Sequence, residues 1–316
     1  MKKEDMQEVK EFLLSKHSEV DEANISREEL GEMLNSLSTY VPNYYGKSDL
    51  AERVFFKKRY RDFALTIDCL ILWNLCLNLE ILEKLGPIRE DKGLNNLRYF
   101  SFILIHTTNN LIGVKQMLEV GLDSQARALY RNSIEMADLG LVCLYDEQYF
   151  KDHATPNEGK TGNPYISPKN STLRKKVVEI LEDLHKRIPG KVDSFKTIKP
   201  LWVAIRDDHY SMLSESTHGN YLHNILHAYK YIEGDRMIPS LGGGCWNNLE
   251  LPLSDICIHQ ISYRRYLTWC LDIKHDIDLL DNSKGRHAFI YFLDVVIGQY
   301  LIKKVVEPRI EEEKQP

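Results

Sequence analysis

Two stretches that read as helices, 95–120 and 123–150, are separated by nothing but Gly121 and Leu122. A link that short leaves no room for a crossover, so the helices must turn back on each other as an antiparallel hairpin. Asn95 or Asn96 starts the first and Gly121 stops it. Asp123 caps the second, which runs to about Phe150. Any fold for this chain has to be built around that pair.

The second helix of the hairpin carries Arg127, Arg131 and Glu135 at four-residue spacing, on one face of a helix that otherwise reads as buried. Arg and Glu are almost never fully buried without partners, so a charged stripe there is either paired or used. The first helix has its own polar interruption, His106-Thr107-Thr108-Asn109-Asn110, between Phe102-Ile103-Leu104-Ile105 and Leu111-Ile112. Counted outward from the turn, 131 and 110 lie at similar depth. Asn109 or Asn110, together with His106, should therefore border Arg131 and Glu135.

The rest of the chain is also helical in pattern. Residues 3–15 form a short amphipathic helix, and Ser26-Arg27-Glu28-Glu29 is a capping box opening another to about Leu37. The segment 38–47, with Pro42, Gly46 and three tyrosines, marks a boundary, giving an N-terminal helical appendage (1–47) and a bundle domain (48–316). Apolar residues at three- and four-residue spacing predict a long helix from Ser48 or Asp49 to Gly86-Pro87. Further helices are expected from Ser171 to about Ile188, from 199 to 231 as one helix or two, from Leu253 to Leu280 and from Lys284 to Val306. Between them, 151–170 and 234–252 are irregular and rich in Gly and Pro, long enough to act as lids. No strand alternation of useful length stands out. The expectation is an all-α fold: a bundle of about five or six long helices, a small N-terminal helical appendage and two irregular lid-like loops.

Composition narrows the function classes. With 43% hydrophobic and 28% charged residues the chain is an ordinary soluble globular protein. A net charge of −5 argues against a general electrostatic grip on nucleic acid, while leaving room for RNA in a small local pocket. Six scattered cysteines and a charged N-terminus without an apolar h-region fit reduced thiols, no export signal and a cytoplasmic location. The most apolar runs are broken by Asp68, Asn74, Asn78, Glu80 and Asp294, so no membrane span is expected.

A second polar constellation is Tyr210 to His218. In a helix, Ser211, Ser214 and His218 would share one stripe. The pairing of Ala126 to Glu135 with Tyr210 to His218 resembles a bacterial family of helical proteins of unknown function, whose signature is an Arg with a Glu on one helix and a Ser-x-x-x-His on another. The matches here are Arg131 with Glu135, and Ser214 with His218, over about Leu94 to Tyr229. The resemblance implies a helical bundle, and the family makes a homodimer plausible. The chain is also loosely similar to helical nucleases of toxin and abortive-infection systems, which implies a role in phage defence. It departs from their Arg-x4–6-His motif, the nearest spacing being Arg206 with His209.

Three readings of the charged stripe stay open. It can be a structural ion-pair network that fixes helix register, as in a non-enzymatic interaction or sensor protein. It can be an anion pocket, because Arg presents a planar fork matched to phosphate. In a metal-independent ribonuclease, His218 would act as general acid or base, Arg131 would stabilise charge on the phosphoryl oxygens and Glu135 would orient one of them. Arg127, Ser211, Ser214, Asn109 and His106 would contact the substrate, RNA or a nucleotide, with no cofactor. Third, Glu135 and His218 with His106 or Glu215 could ligate a metal, although the usual Glu-x-x-His pairs are missing and two arginines would repel a cation. Elsewhere, His223 and His227 lack the His-Glu-x-x-His context, and Gly242-Gly243-Gly244 is not followed by Lys-Ser/Thr. Asp272, Asp276 and Asp278 with His275 read as a solvated acidic face.

Overall fold

A computed structural model describes residues 3–19, 25–40, 50–86, 95–154, 170–187, 229–232, 236–239, 250–279 and 285–301. The helices are α1 (Lys3–Lys16), α2 (Arg27–Tyr40), α3 (Leu50–Leu85), α4 (Asn96–Glu119), α5 (Asp123–Tyr145), α6 (Glu147–Ala154), α7 (Asn170–Arg187), α8 (Glu250–His275) and α9 (Gly285–Leu301). The fold is all-α. A small antiparallel hairpin of β1 (Tyr229–Ile232) and β2 (Arg236–Pro239), with Tyr229 opposite Pro239, is added to it. Helix was expected through Tyr231. The β-prone Tyr-Lys-Tyr-Ile run before Glu233-Gly234-Asp235 carries the hairpin signal that periodicity missed.

The long α3 kinks at Tyr60 (φ −119°, ψ 29°) and then runs through the middle of the core. Its stretch 56–85 is long and apolar enough to cross a membrane by composition, yet most of it is buried by neighbouring helices, with Trp73 fully covered. α4 lies antiparallel against it. Ser101 Oγ donates to Asn78 Oδ1 at 2.6 Å, and Lys115 Nζ reaches Asp68 Oδ2 at 2.6 Å. These two pairs set the register of α4 against α3.

The α4–α5 hairpin forms as the two-residue link requires. Gly121 takes a left-handed φ of +75°. There Leu122 N and Gly121 N bond back to Met117 and Leu118 carbonyls. The helices approach closely: a Cβ on Gly140 would sit 3.0 Å from Ile103 and 3.3 Å from Phe100. Two boundaries differ from expectation. Asp123 is not a cap, because its carboxylate is taken by Arg127 and the N-cap is Leu122, without a side-chain bond. The second helix also stops early at extended Asp146 (φ −108°, ψ 99°), whose Oδ1 accepts from Tyr149 N and starts α6.

α8 ties the bundle together. Arg264 lies with its guanidinium carbon 4.9 Å from the Trp73 ring centre on α3 and Nη2 2.7 Å from Asp294 on α9. The Tyr130 hydroxyl of α5 stands 2.9 Å from His259 Nδ1. α1 and α2 put Met6, Val9, Leu13, Leu30 and Leu34 into the same apolar core as α3 and α9, and Glu8 accepts from Arg61 at 2.9 Å.

Candidate functional site

The charged stripe of α5 divides into two halves with different surroundings. Arg127 Nε donates to both oxygens of Asp123 at 3.0 and 2.9 Å, with the two side chains 9% and 1% exposed. That pair is sealed. A buried charge is tolerable when it is matched and hydrogen-bonded, and Asp123, one turn earlier on the same helix, does this for Arg127. Arg127, expected to contact substrate, is committed to that carboxylate. Arg131 Nε bonds Glu135 Oε1 at 3.2 Å, and these side chains are 20% and 29% exposed. This pair reaches solvent.

Asn132, the next residue, joins the two helices. Its Oδ1 accepts from Asn110 Nδ2 at 2.9 Å and lies 3.4 Å from His106 Nε2. His106 and Asn110, expected to border Arg131 and Glu135, thus meet Asn132, the residue after Arg131. Asn110 makes the contact, while Asn109 points out and is exposed. Ser211, Ser214 and His218 lie outside the described residues, as do His223, His227 and Gly242–Gly244.

Chemically, the open half presents a guanidinium held in place by a carboxylate, and an imidazole and two amides meet at Asn132, the next residue along the helix. Such a set recognises an oxyanion by directional donors rather than by net charge. Among the described residues no three His, Cys, Asp or Glu side chains converge in a way that could hold a metal ion. The described cysteines are buried thiols, and burial raises Cys76 and Cys143 to about 12, which removes them as nucleophiles at neutral pH.

No family model, curated protein or solved structure matches this chain. Function therefore has to be argued from the side chains themselves.

Two features escaped the sequence reading. Lys115 is buried between α3 and α4 with Asp68 at 2.6 Å and Glu119 at 3.4 Å. Asp68 inside an apolar run was the signal for it. The second is His275, at the end of α8, placed above on a solvated acidic face. It is instead half-buried, and Nε2–H donates to the Leu144 carbonyl at 3.0 Å. Burial, with help from Lys84 and Lys274, holds its pKa below the ordinary histidine value. Nothing in its helix periodicity signalled this, because the burial comes from the end of α5.

Proposed function

We propose that the open half of the α5 stripe, Arg131 with Glu135, together with His106, Asn110 and Asn132 on the hairpin face, binds a phosphate-containing ligand such as RNA or a nucleotide. The observation carrying this reading is the contrast within one stripe. Arg127 is neutralised out of solvent, whereas Arg131, held by Glu135, keeps a guanidinium that reaches solvent. Fixing a guanidinium by a carboxylate on Nε lowers the entropy lost when it meets an oxyanion.

Metal-independent phosphodiester cleavage is the activity this reading extends to. His218 would exchange the proton and Arg131 would stabilise the phosphoryl charge, by the resemblance described above. A part in phage defence or toxin action, in the cytoplasm, follows from that resemblance alone. The competing reading is a non-enzymatic interaction or sensor protein whose stripe is structural, and the sealed Arg127–Asp123 pair favours it.

Purified protein is incubated with labelled single-stranded RNA in EDTA, beside Arg131→Ala and His218→Ala. Cleavage lost in both variants at unchanged melting temperature supports catalysis. Binding lost in Arg131→Ala with no cleavage in any form supports a sensor. Equal RNA binding by wild type and Arg131→Ala refutes the proposed site.

A further inference from the structure

Among the described residues three large apolar side chains are exposed, and they lie together. Ser101 of α4 meets Asn78 of α3 at 2.6 Å. From that contact Phe102 and Leu79 each turn about 100° out of the seam between the antiparallel helices, to the same side. Phe102 is 53% and Leu79 46% exposed, with Leu82 one turn further along α3. One turn to either side of Phe102 stand Arg98 and His106, so the three follow at four-residue spacing. A drift of about 40° per step carries their line across the outer face of α4, from the α3 seam toward α5. There His106 Nε2 lies 3.4 Å from Asn132 Oδ1.

Arg98 is the unusual member. It is 6% exposed, its Nε has no hydrogen-bond partner, and among the described residues no carboxylate stands within ion-pairing distance of it. Lys115 and Arg127, buried to a similar degree in the same hairpin, each have one. A buried guanidinium without an anion is costly to the fold, and a cation in the first turn of a helix also opposes the macrodipole. The side chain leans back toward the helix N-terminus, so the charge marks the end of the line far from Asn132. From Asn96 to Leu118 α4 holds no Asp or Glu, in a chain with 46 of them. Nothing on this helix face repels a polyanion.

We infer that this line is a track for single-stranded RNA. One phosphate compensates Arg98, a base stacks on the Phe102 ring against Leu79, and His106 with Asn132 receives the strand on its way to Arg131. The inference rests on the phosphate reading of the hairpin face and narrows it. About 18 Å along α4 separates Arg98 from Asn110, too far for a lone nucleotide, and a base stacked inside a duplex has no free face to offer Phe102.

Labelled oligouridylate is titrated by fluorescence anisotropy in EDTA, with the same strand in a duplex and uridine monophosphate as competitors. Wild type should prefer the single strand to both. Phe102→Ala, at an exposed position, should weaken strand binding about 10-fold, and Phe102→Trp should keep it. Arg98→Met should lower the slope of log affinity against log salt by about 0.7, the share of one phosphate on a single strand, and should melt no earlier than wild type. Equal strand binding by Phe102→Ala and wild type overturns the track, as does a wild type that binds no single strand or prefers the duplex. Earlier melting of Arg98→Met marks a structural residue and overturns the phosphate contact assigned to it. A wild-type dimer that Phe102→Ala dissociates in ultracentrifugation gives this face to a second copy of the chain and also overturns the track. The Arg131 site fails separately: if Arg131→Ala binds like wild type while Phe102→Ala binds weakly, that site falls and the track stands, and the converse removes the track alone.

Discussion

Replacing Lys115 by methionine keeps most of the aliphatic stem and deletes the ammonium. In the folded protein this leaves Asp68, 3% exposed, without the cation that stands 2.6 Å from it, and Glu119, 1% exposed, without one at 3.4 Å. Removing one partner of a buried ion pair costs roughly 3–5 kcal/mol, because the remaining charge has lost water without compensation. For 316 residues, an unfolding entropy of ~2.1 cal/mol/K per residue gives ~0.7 kcal/mol/K, so the melting temperature should fall by about 4–7 °C. Thermal melts followed by far-UV circular dichroism read this directly.

The attribution to charge, rather than to packing, is tested by a second substitution. Asp68→Leu alone takes from the lysine its closer carboxylate and leaves Glu119 at 3.4 Å. Lys115→Met combined with Asp68→Leu strands neither member of the closer pair. The double variant should therefore lose about 1.5–3 kcal/mol less than the two single losses added together. If Lys115→Met lowers the melting temperature by less than ~1.5 °C, or if the singles add within ~0.5 kcal/mol, the buried pair is not what fixes α3 against α4.

The remaining predictions concern the two halves of the stripe and the end of α8. Asp123→Ala strands Arg127 and should cost roughly 3–5 kcal/mol, whereas Arg131→Ala breaks a solvent-reachable pair and should cost about 1 kcal/mol or less, both read from urea unfolding. Because His275 titrates below its unfolded value of ~6.5, its contribution is complete above that pH and is lost as pH falls through the folded pKa. A series of melts from pH 8 to 5 should decline on the acid side, less steeply for His275→Gln; an identical slope in both would exclude His275 as the source. Asp276 holds a left-handed φ of +52° where α8 ends, and Asp276→Gly should raise stability by about 0.5–1 kcal/mol. A lower melting temperature for that variant would mean that the aspartate side chain holds the turn.

Local rules written into adjacent residues were readable in advance. The capping box is formed in both directions, Ser26 N to Glu29 Oε2 at 2.8 Å and Glu29 N to Ser26 Oγ at 3.1 Å. Gly86 and Gly121 end their helices with φ of +67° and +75°. What periodicity could not supply was any ending made by a residue that also suits a helix. Asp146 breaks the reading of 123–150 by capping α6. Asp276 ends α8 in a reversed turn, Ile277 N to Leu271 O at 3.2 Å, with no glycine to announce it. Lys84, more than 190 residues away in sequence, bonds the carbonyls of His275 and Asp276 there. Within the site, the reading reached the right turn of each helix but not the right residue, since moving from Asn109 to Asn110 rotates a side chain by about 100°.

The split of the α5 stripe follows from the same geometry. Residues four apart advance about 400° around a helix, so an i, i+4 series drifts about 40° per step rather than staying on one line. Taking Asp123 as origin, Arg127 sits near 40°, Arg131 near 80° and Glu135 near 120°. Buried Tyr130, Ile134 and Asp138 cluster between about −20° and 60°, and exposed Gln125 and Asn132 lie near 180–200°. The charges thus leave the core progressively as the helix proceeds: the first pair falls inside and must be structural, while the second falls on the shoulder next to Asn132. A ligand role for this helix can therefore rest on Arg131 and Glu135 and not on Arg127. The wheel gives this a direct check: a charge introduced at buried Ile134, near 20°, by Ile134→Glu should prevent stable folding, while Gln125→Glu near 200° should be tolerated within about 0.5 kcal/mol. Equal tolerance at both positions would show that α5 does not present this face to the core.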